Sequence, residues 1–110
     1  MINKILKDAG VKYKRTRFPK PPDGTYAVYM DDQEADGPDG ISPIITITHF
    51  YTIEVYLSTS DDKTEEAIEA ALNASGMKWT KQDRYWLQDV QRYQVVYEFT
   101  YIEKRRINNE

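Results

Sequence analysis

Along residues 44–57 apolar and polar side chains alternate almost without a break, so that Ile45, Ile47, His49, Tyr51, Ile53, Val55 and Leu57 share one face at a period of two. Such alternation marks a strand with one buried face. A second long run, 92–103, brings Tyr93, Val95, Tyr97, Phe99 and Tyr101 together in the same way. Residues 25–30 set Tyr26, Val28 and Met30 against Ala27 and Tyr29, and 77–87, with Trp79, Tyr85 and Trp86, reads as a fourth strand-like stretch. Two segments repeat at helical spacing instead. Ile2, Ile5, Leu6 and Ala9 form a stripe closed by Gly10, the residue type that favours a left-handed C-terminal cap. Ala67, Ile68, Ala71 and Leu72 form another, opposite Glu65, Glu66 and Glu69, entered through a capping-box pair Asp62 and Glu65 and ended by Gly76. The order α-β-β-α-β-β predicts an α+β fold, a mainly antiparallel sheet of about four strands with two helices packed on one face. The other face, carrying Thr46, Thr48, Thr52, Gln94, Glu98 and Thr100, is polar enough to meet water or a neighbouring subunit.

The breaks between these runs are equally marked. Residues 1–24 read as the N-terminal helix followed by a basic connector, in which Lys12, Lys14, Arg15 and Arg17 precede Pro19, Pro21, Pro22 and Gly24. Residues 31–43 read as an acidic Gly/Pro loop containing Asp31, Asp32, Glu34, Asp36 and Asp39, a composition that favours a solvated loop whose carboxylates contribute little to packing. With 110 residues the expectation is one domain, 1–110, in which nearly every element must contribute a face to the core. No internal repeat or low-complexity segment interrupts it.

Composition narrows the function classes. Hydrophobic residues make up 40% and charged residues 30% of the chain, and its nine tyrosines suit surfaces wet in the monomer and buried in an assembly. A formal net charge of −3 argues against a protein that mainly coats nucleic acid. The lack of cysteine removes disulfides, thiolate zinc sites and thiol nucleophiles, and fits a reducing cytoplasm. The segment 1–10 is too polar for a signal peptide, and no apolar run approaches the ~20 residues of a membrane span, so no membrane partner is expected.

Candidate chemistry is sparse. Asp32, Glu34, Asp36 and Gly37 match the start of an EF-hand loop, but Pro43 stands where a bidentate Glu belongs, and a solvated hairpin loop is the simpler reading. His49 is the sole histidine, in register with Ile47 and Tyr51, and reads as a hydrogen-bonded core or interface residue. Ser42, Ser58, Ser60 and Ser75 lie in turn or helix-end contexts and none sits in a nucleophile elbow. No glycine-rich phosphate loop or dinucleotide fingerprint occurs. The expectation is therefore no catalytic residue, no metal and no cofactor. The basic residues 12–17, with Lys104, Arg105 and Arg106, suit either DNA phosphates or the plain task of keeping strand edges soluble, and the second reading is preferred.

Taken together, Thr25-Tyr26-Ala27-Val28-Tyr29, His49-Phe50-Tyr51-Thr52-Ile53-Glu54-Val55-Tyr56 and Arg92-Tyr93-Gln94-Val95-Val96-Tyr97-Glu98-Phe99 resemble small tail completion proteins (tail terminator or head-tail joining) of long-tailed phages and prophages of Gram-positive bacteria. The resemblance implies a non-catalytic protomer that closes into a homo-oligomeric ring, of six copies in the assembled tail, on the tail-tube protein and presents a surface to the head-tail connector. The implied location is the tail or neck of the virion, with host cytoplasm during assembly. On this reading Asp31, Asp32, Glu34, Asp36 and Asp39 form the first-choice partner surface, exposed strand residues Tyr29, Tyr56 and Tyr101 the second, and Lys12, Lys14, Arg15 and Arg17 a non-specific DNA contact in the channel. The alternatives are a head-tail connector or minor capsid protein, and a small nucleic-acid-binding or regulatory module.

Overall fold

A computed structural model of the chain describes residues 1–37, 43–59 and 63–106. It is α+β, as the periodicities predict, with two helices, α1 (Ile2–Ala9) and α2 (Lys63–Ala74). The sheet has six strands rather than about four: β1 (Lys12–Arg15), β2 (Tyr26–Asp36), β3 (Ile44–Leu57), β4 (Trp79–Lys81), β5 (Tyr85–Leu87) and β6 (Arg92–Arg106). Strand order is β1-β2-β3-β6-β4, with β5 also on β6; every pairing is antiparallel except the parallel β1–β2 edge.

The two long runs of alternation become the centre of the sheet. β3 pairs with β6 along its whole length, from Ile44 opposite Arg106 to Leu57 opposite Tyr93, and with β2 from Tyr56 opposite Tyr26 to Thr46 opposite Asp36. Odd-numbered residues of all three strands therefore share one face. On it Ala27, Ile53, Val55, Leu57, Val95 and Tyr97 pack with Ile2, Ile5 and Leu6 of α1 and Ile68, Ala71 and Leu72 of α2. The helices lie on one face, as expected. They are short, about 12 and 18 Å at 1.5 Å per residue, whereas fifteen residues of strand span about 50 Å; the molecule is 53 Å in its longest dimension. The core consequently occupies one half of the sheet.

Three expected boundaries move. The basic connector contains a real strand, β1, whose end is fixed where the Thr16 amide donates to the Tyr29 carbonyl at 2.8 Å. The acidic segment is not a loop from Asp31 onward: β2 continues through Asp36, because β3 supplies a partner for each of its residues. Asp39, with the rest of 38–42, lies outside the described residues, as does Asp62 of the expected capping box. The fourth strand is split. Gln82 pairs with the Val96 carbonyl at 2.9 Å and Tyr85 with Gln94, so two residues, Asp83 and Arg84, stand opposite Val95 alone. This extra residue is a β-bulge, and it brings Arg84 rather than Asp83 to the helix side, where its guanidinium meets Glu65 at 2.6 Å.

Glu65 corrects the expected polarity of α2, because it is buried at 5% exposure instead of facing solvent. Lys81 bridges it to Glu69, 2.8 Å from each carboxylate, and Tyr97 donates its hydroxyl to Glu69 at 2.8 Å. Burial of a carboxylate is tolerable only with such partners. Desolvation opposes the Lys81 ammonium, but its hydrogen bonds to Glu65 and Glu69 outweigh that and hold its pKa above 10.5.

α2 ends as the sequence suggests. Gly76 has φ 72°, its amide reaches the Asn73 carbonyl at 3.0 Å, and the Met77 amide reaches Leu72 at 3.2 Å, the two bonds of a Schellman cap. A Cβ at Gly76 would meet nothing within 4 Å, so only the backbone resists substitution there. Gly76→Ala is expected to lower stability by about 1 kcal/mol, the cost of a left-handed L-residue, and Gly76→Asn by less; chemical denaturation of the two variants measures the difference.

Candidate functional site

Beyond the helices, among the described residues, only β2, β3 and β6 continue, forming a three-stranded blade. β1 pairs with β2 no further than Tyr29, and β4 pairs with β6 no further than Phe99. Residues 30–36 of β2 and 100–106 of β6 therefore have no described strand on their outer sides.

The odd face of the blade centres on His49, 7% exposed. Its Nδ1 lies 2.9 Å from Asp31 Oδ1 and its Nε2 2.8 Å from Glu103 Oε1, so one imidazole ties the central strand to both outer ones. Asp31 also accepts from Gln33 at 2.9 Å, and Glu103 from Arg105 at 2.8 Å. The ring stacks on Tyr51 at 5.3 Å and leans on Tyr101 at 5.9 Å. Burial disfavours the imidazolium, but the hydrogen bonds to Glu103 and Asp31 prevail and raise its pKa above 6.5. The same bond to His49, then that to Arg105, hold Glu103 below 4.5. Burial, reinforced by Asp31 and Glu103, pushes the Tyr51 hydroxyl up to about 12. With both ring nitrogens engaged by carboxylates, His49 has no lone pair left for a substrate proton or a metal, and the cluster acts as a clamp between strands.

The even face of the blade is different. Thr46, Thr48, Phe50 and Thr52 of β3 lie beside Thr100 and Ile102 of β6, with Phe50 41% and Ile102 58% exposed. Where β4 stops, a concavity of about 410 Å³ opens beside Phe50, Lys78, Thr80, Glu98 and Thr100. Nearer the base, the same face is closed by side chains. Tyr56 stacks on Tyr26 at 4.9 Å and donates to Glu54 at 2.8 Å, while Gln94 donates to Glu54 and accepts from Tyr85. Burial and that bond to Glu54 push the Tyr56 hydroxyl up to about 12. Gln94, expected on a wet face, is buried for this reason.

The expected partner residues are thus separated. Asp32, Glu34 and Asp36 are exposed at two-residue spacing on the even face of β2, in extended backbone that no EF-hand loop adopts. Asp31 faces the other way, into His49. Tyr29 and Tyr101 belong to the odd face and Tyr56 to the even one, and all three are half-buried rather than exposed: Tyr29 leans on Tyr13, Tyr101 on His49. Lys12, Lys14, Arg15 and Arg17 are exposed along the β1 edge, and Lys14 sits 5.9 Å over the Phe18 ring. Arg15 is level with Tyr29, Ile53 and Tyr97, so Lys104 lies seven residues further along the sheet, about 24 Å at the strand rise, on the opposite edge. The two basic clusters do not form one field. Among the described residues no group of three or more His, Asp or Glu is placed to hold a metal ion, and no helix is long and apolar enough to cross a membrane.

The His49 cluster was missed as a unit because its members are 18 and 54 residues apart; the one signal was an ionisable residue in phase with an apolar strand face. Its raised pKa contributes stability below pH 6.5 that is lost as pH rises through the folded value, and the lowered Glu103 contributes stability above pH 4.5 that is lost as pH falls through its folded value. The clamp is therefore strongest between those limits. His49→Leu is expected to cost about 2 kcal/mol by leaving the carboxylates facing each other, and to remove the loss of stability expected of the wild type as pH rises above 6.5 through the raised His49 value; calorimetry across pH tests both. Comparison with protein-family models gives no match to this chain, and comparison with curated proteins gives none either.

Proposed function

We propose that this chain is a structural, non-catalytic tail protein of a long-tailed phage or prophage, a protomer that closes into a ring on the tail tube and joins the tail to the head. The reading rests on the strand sequences that resemble tail completion proteins, and the observation that carries it furthest is the even face of the blade. Phe50 and Ile102 stand exposed there on a regular, threonine-lined surface of β3 and β6. Burying such a surface against another protein gains apolar area, and the exposed carboxylates of Asp32, Glu34 and Asp36 beside it on the same face call for a partner with complementary polar or basic groups. The concavity beside Phe50, Glu98 and Thr100 is open to solvent on the same face.

The partners on this reading are further copies of the chain, the tail-tube protein and the head-tail connector. Its place is the virion neck or tail, after assembly in host cytoplasm. The wide separation of the two basic clusters weighs against the alternative of a dedicated nucleic-acid-binding module, whose footprint is a continuous basic stripe. The connector alternative has the same bare face and differs only in which partner it meets.

Light scattering after size exclusion, across concentrations and with a tail-tube protein from the same phage or prophage, tests the proposal. A ring, alone or on the tube, is the expected result, and a monomer that ignores the tube overturns it. Replacing Phe50 and Ile102 by Glu should abolish binding to the tube or to the next copy and shift stability by less than about 1 kcal/mol, the usual range for exposed positions.

A further inference from the structure

The two outer edges of the blade carry opposite charge. Residues 30–36 of β2 include Asp31, Asp32, Glu34 and Asp36 and no cation. Residues 100–106 of β6 include Lys104, Arg105 and Arg106 against Glu103 alone. Asp32, Glu34, Asp36, Lys104, Arg105 and Arg106 are all exposed.

Both edges also offer backbone. The Tyr29 carbonyl bonds outward to Thr16, so odd residues of β2 present their amides and carbonyls to the outer side, and the alternation continues through Asp31, Gln33 and Ala35. The Val96 carbonyl bonds outward to Gln82, so even residues of β6 do the same through Thr100, Ile102 and Lys104. Among the described residues no strand pairs with either row. An edge of this kind is a template for another strand.

Charge decides which strand. Two β2 edges brought together would oppose carboxylates to carboxylates, and two β6 edges would oppose cations to cations; like charges directly across a strand pair are destabilising. The acidic edge fits the basic edge. β2 and β6 each run antiparallel to β3 and hence parallel to one another, so a copy rotated about an axis near the strand direction presents its β2 to the first copy's β6 as a parallel pair. Only even shifts keep the faces matched. Without shift Asp36 meets Lys104; shifted by two, Glu34 meets Lys104 and Asp36 meets Arg106 on the same face.

We propose that residues 30–36 of β2 in one copy pair with residues 100–106 of β6 in a second copy of this chain, continuing the sheet from protomer to protomer. This rests on the ring reading above and gives it a joint. The contact is heterologous, so it repeats around an axis and closes when its rotation fits, whereas the excluded like-edge contacts would stop at a dimer.

Two charge-swapped variants test the joint and leave the His49 clamp intact: D32K/E34K/D36K and K104E/R106E. Each alone places like charges across the contact, and its self-association, read by light scattering alone and with the tube protein, is expected to weaken on the order of tenfold or more. Mixed in equal amounts, each variant's β2 edge complements the other's β6 edge, so the oligomer should return with an even number of alternating copies. Cooperative melting of each variant confirms that it is folded. The chain has no cysteine, so E34C/K104C, which faces across the shifted register, and D36C/K104C, which faces across the unshifted one, can cross-link only through these positions; within one copy β3 separates each pair by about 10 Å, too far for a disulfide. A ladder of linked copies on a non-reducing gel is expected. A wild-type ring indifferent to both swaps, swapped variants that melt cooperatively yet never recombine, or the absence of a ladder from both cysteine pairs overturns the edge assignment and leaves the ring reading standing. A wild-type chain that forms no oligomer, alone or on the tube, overturns both.

Discussion

Pairing of β3 with β6 over fourteen residues is the constraint on which the molecule depends. The side-chain period of a strand is two, so this one ladder decides that Ile53, Val55, Leu57, Val95 and Tyr97 face the helices together. A slip of β6 by one residue would turn Val95 and Tyr97 to water and bring Gln94, Val96 and Glu98 inward in their place. β2 takes its register from β3, and the short strands β4 and β5 take theirs from β6. Neither helix specifies the sheet; each covers what the ladder has already sorted.

Polar side chains reinforce that register where apolar packing ends. At the helical end, Lys81 reaches Glu65 from its regular place opposite Tyr97, and Arg84 reaches it because the bulge opposite Val95 turns it toward α2. At the far end, His49 joins Asp31 and Glu103 across three strands. Each cluster has cations or shared protons between carboxylates, and each would be costly with one member removed. They replace, at two places, the apolar contacts that two helices of about 12 and 18 Å are too short to provide.

The sequence made the central strands legible because their alternation is long, and made both helix ends legible because Gly10 and Gly76 each take up positive φ. It hid what depends on a partner. Asp31, Asp32, Glu34 and Asp36 have poor strand propensity, and they become strand because β3 runs alongside them. The tilt of Lys12 to Arg15 toward a parallel pairing with β2 carries no local signature, since a four-residue basic run is equally at home in a linker. The burial of Glu65 was hidden for the same reason: a glutamate reads as solvent-facing until Lys81 arrives from β4 and Arg84 from a bulge that periodicity cannot announce. Of the expected interface residues, Asp32, Glu34 and Asp36 remain together on one surface, while Asp31, Tyr29, Tyr56 and Tyr101 are taken up by contacts within the chain.

The central position of β6 has a consequence for how the chain is made. β6 follows every other described strand in sequence yet stands between β3 and β4, and its partners in β3 are 36 to 62 residues upstream. During synthesis β3 can pair with β2 as a hairpin, but its other edge stays open, and β4 and β5 have no partner at all until β6 leaves the ribosome. Non-local pairing of this kind is slow compared with helix formation. The nascent chain therefore carries a half-paired, apolar-faced strand for the 36 to 62 residues that separate β3 from its partners in β6, and the step that completes the sheet is also the step that covers that open edge.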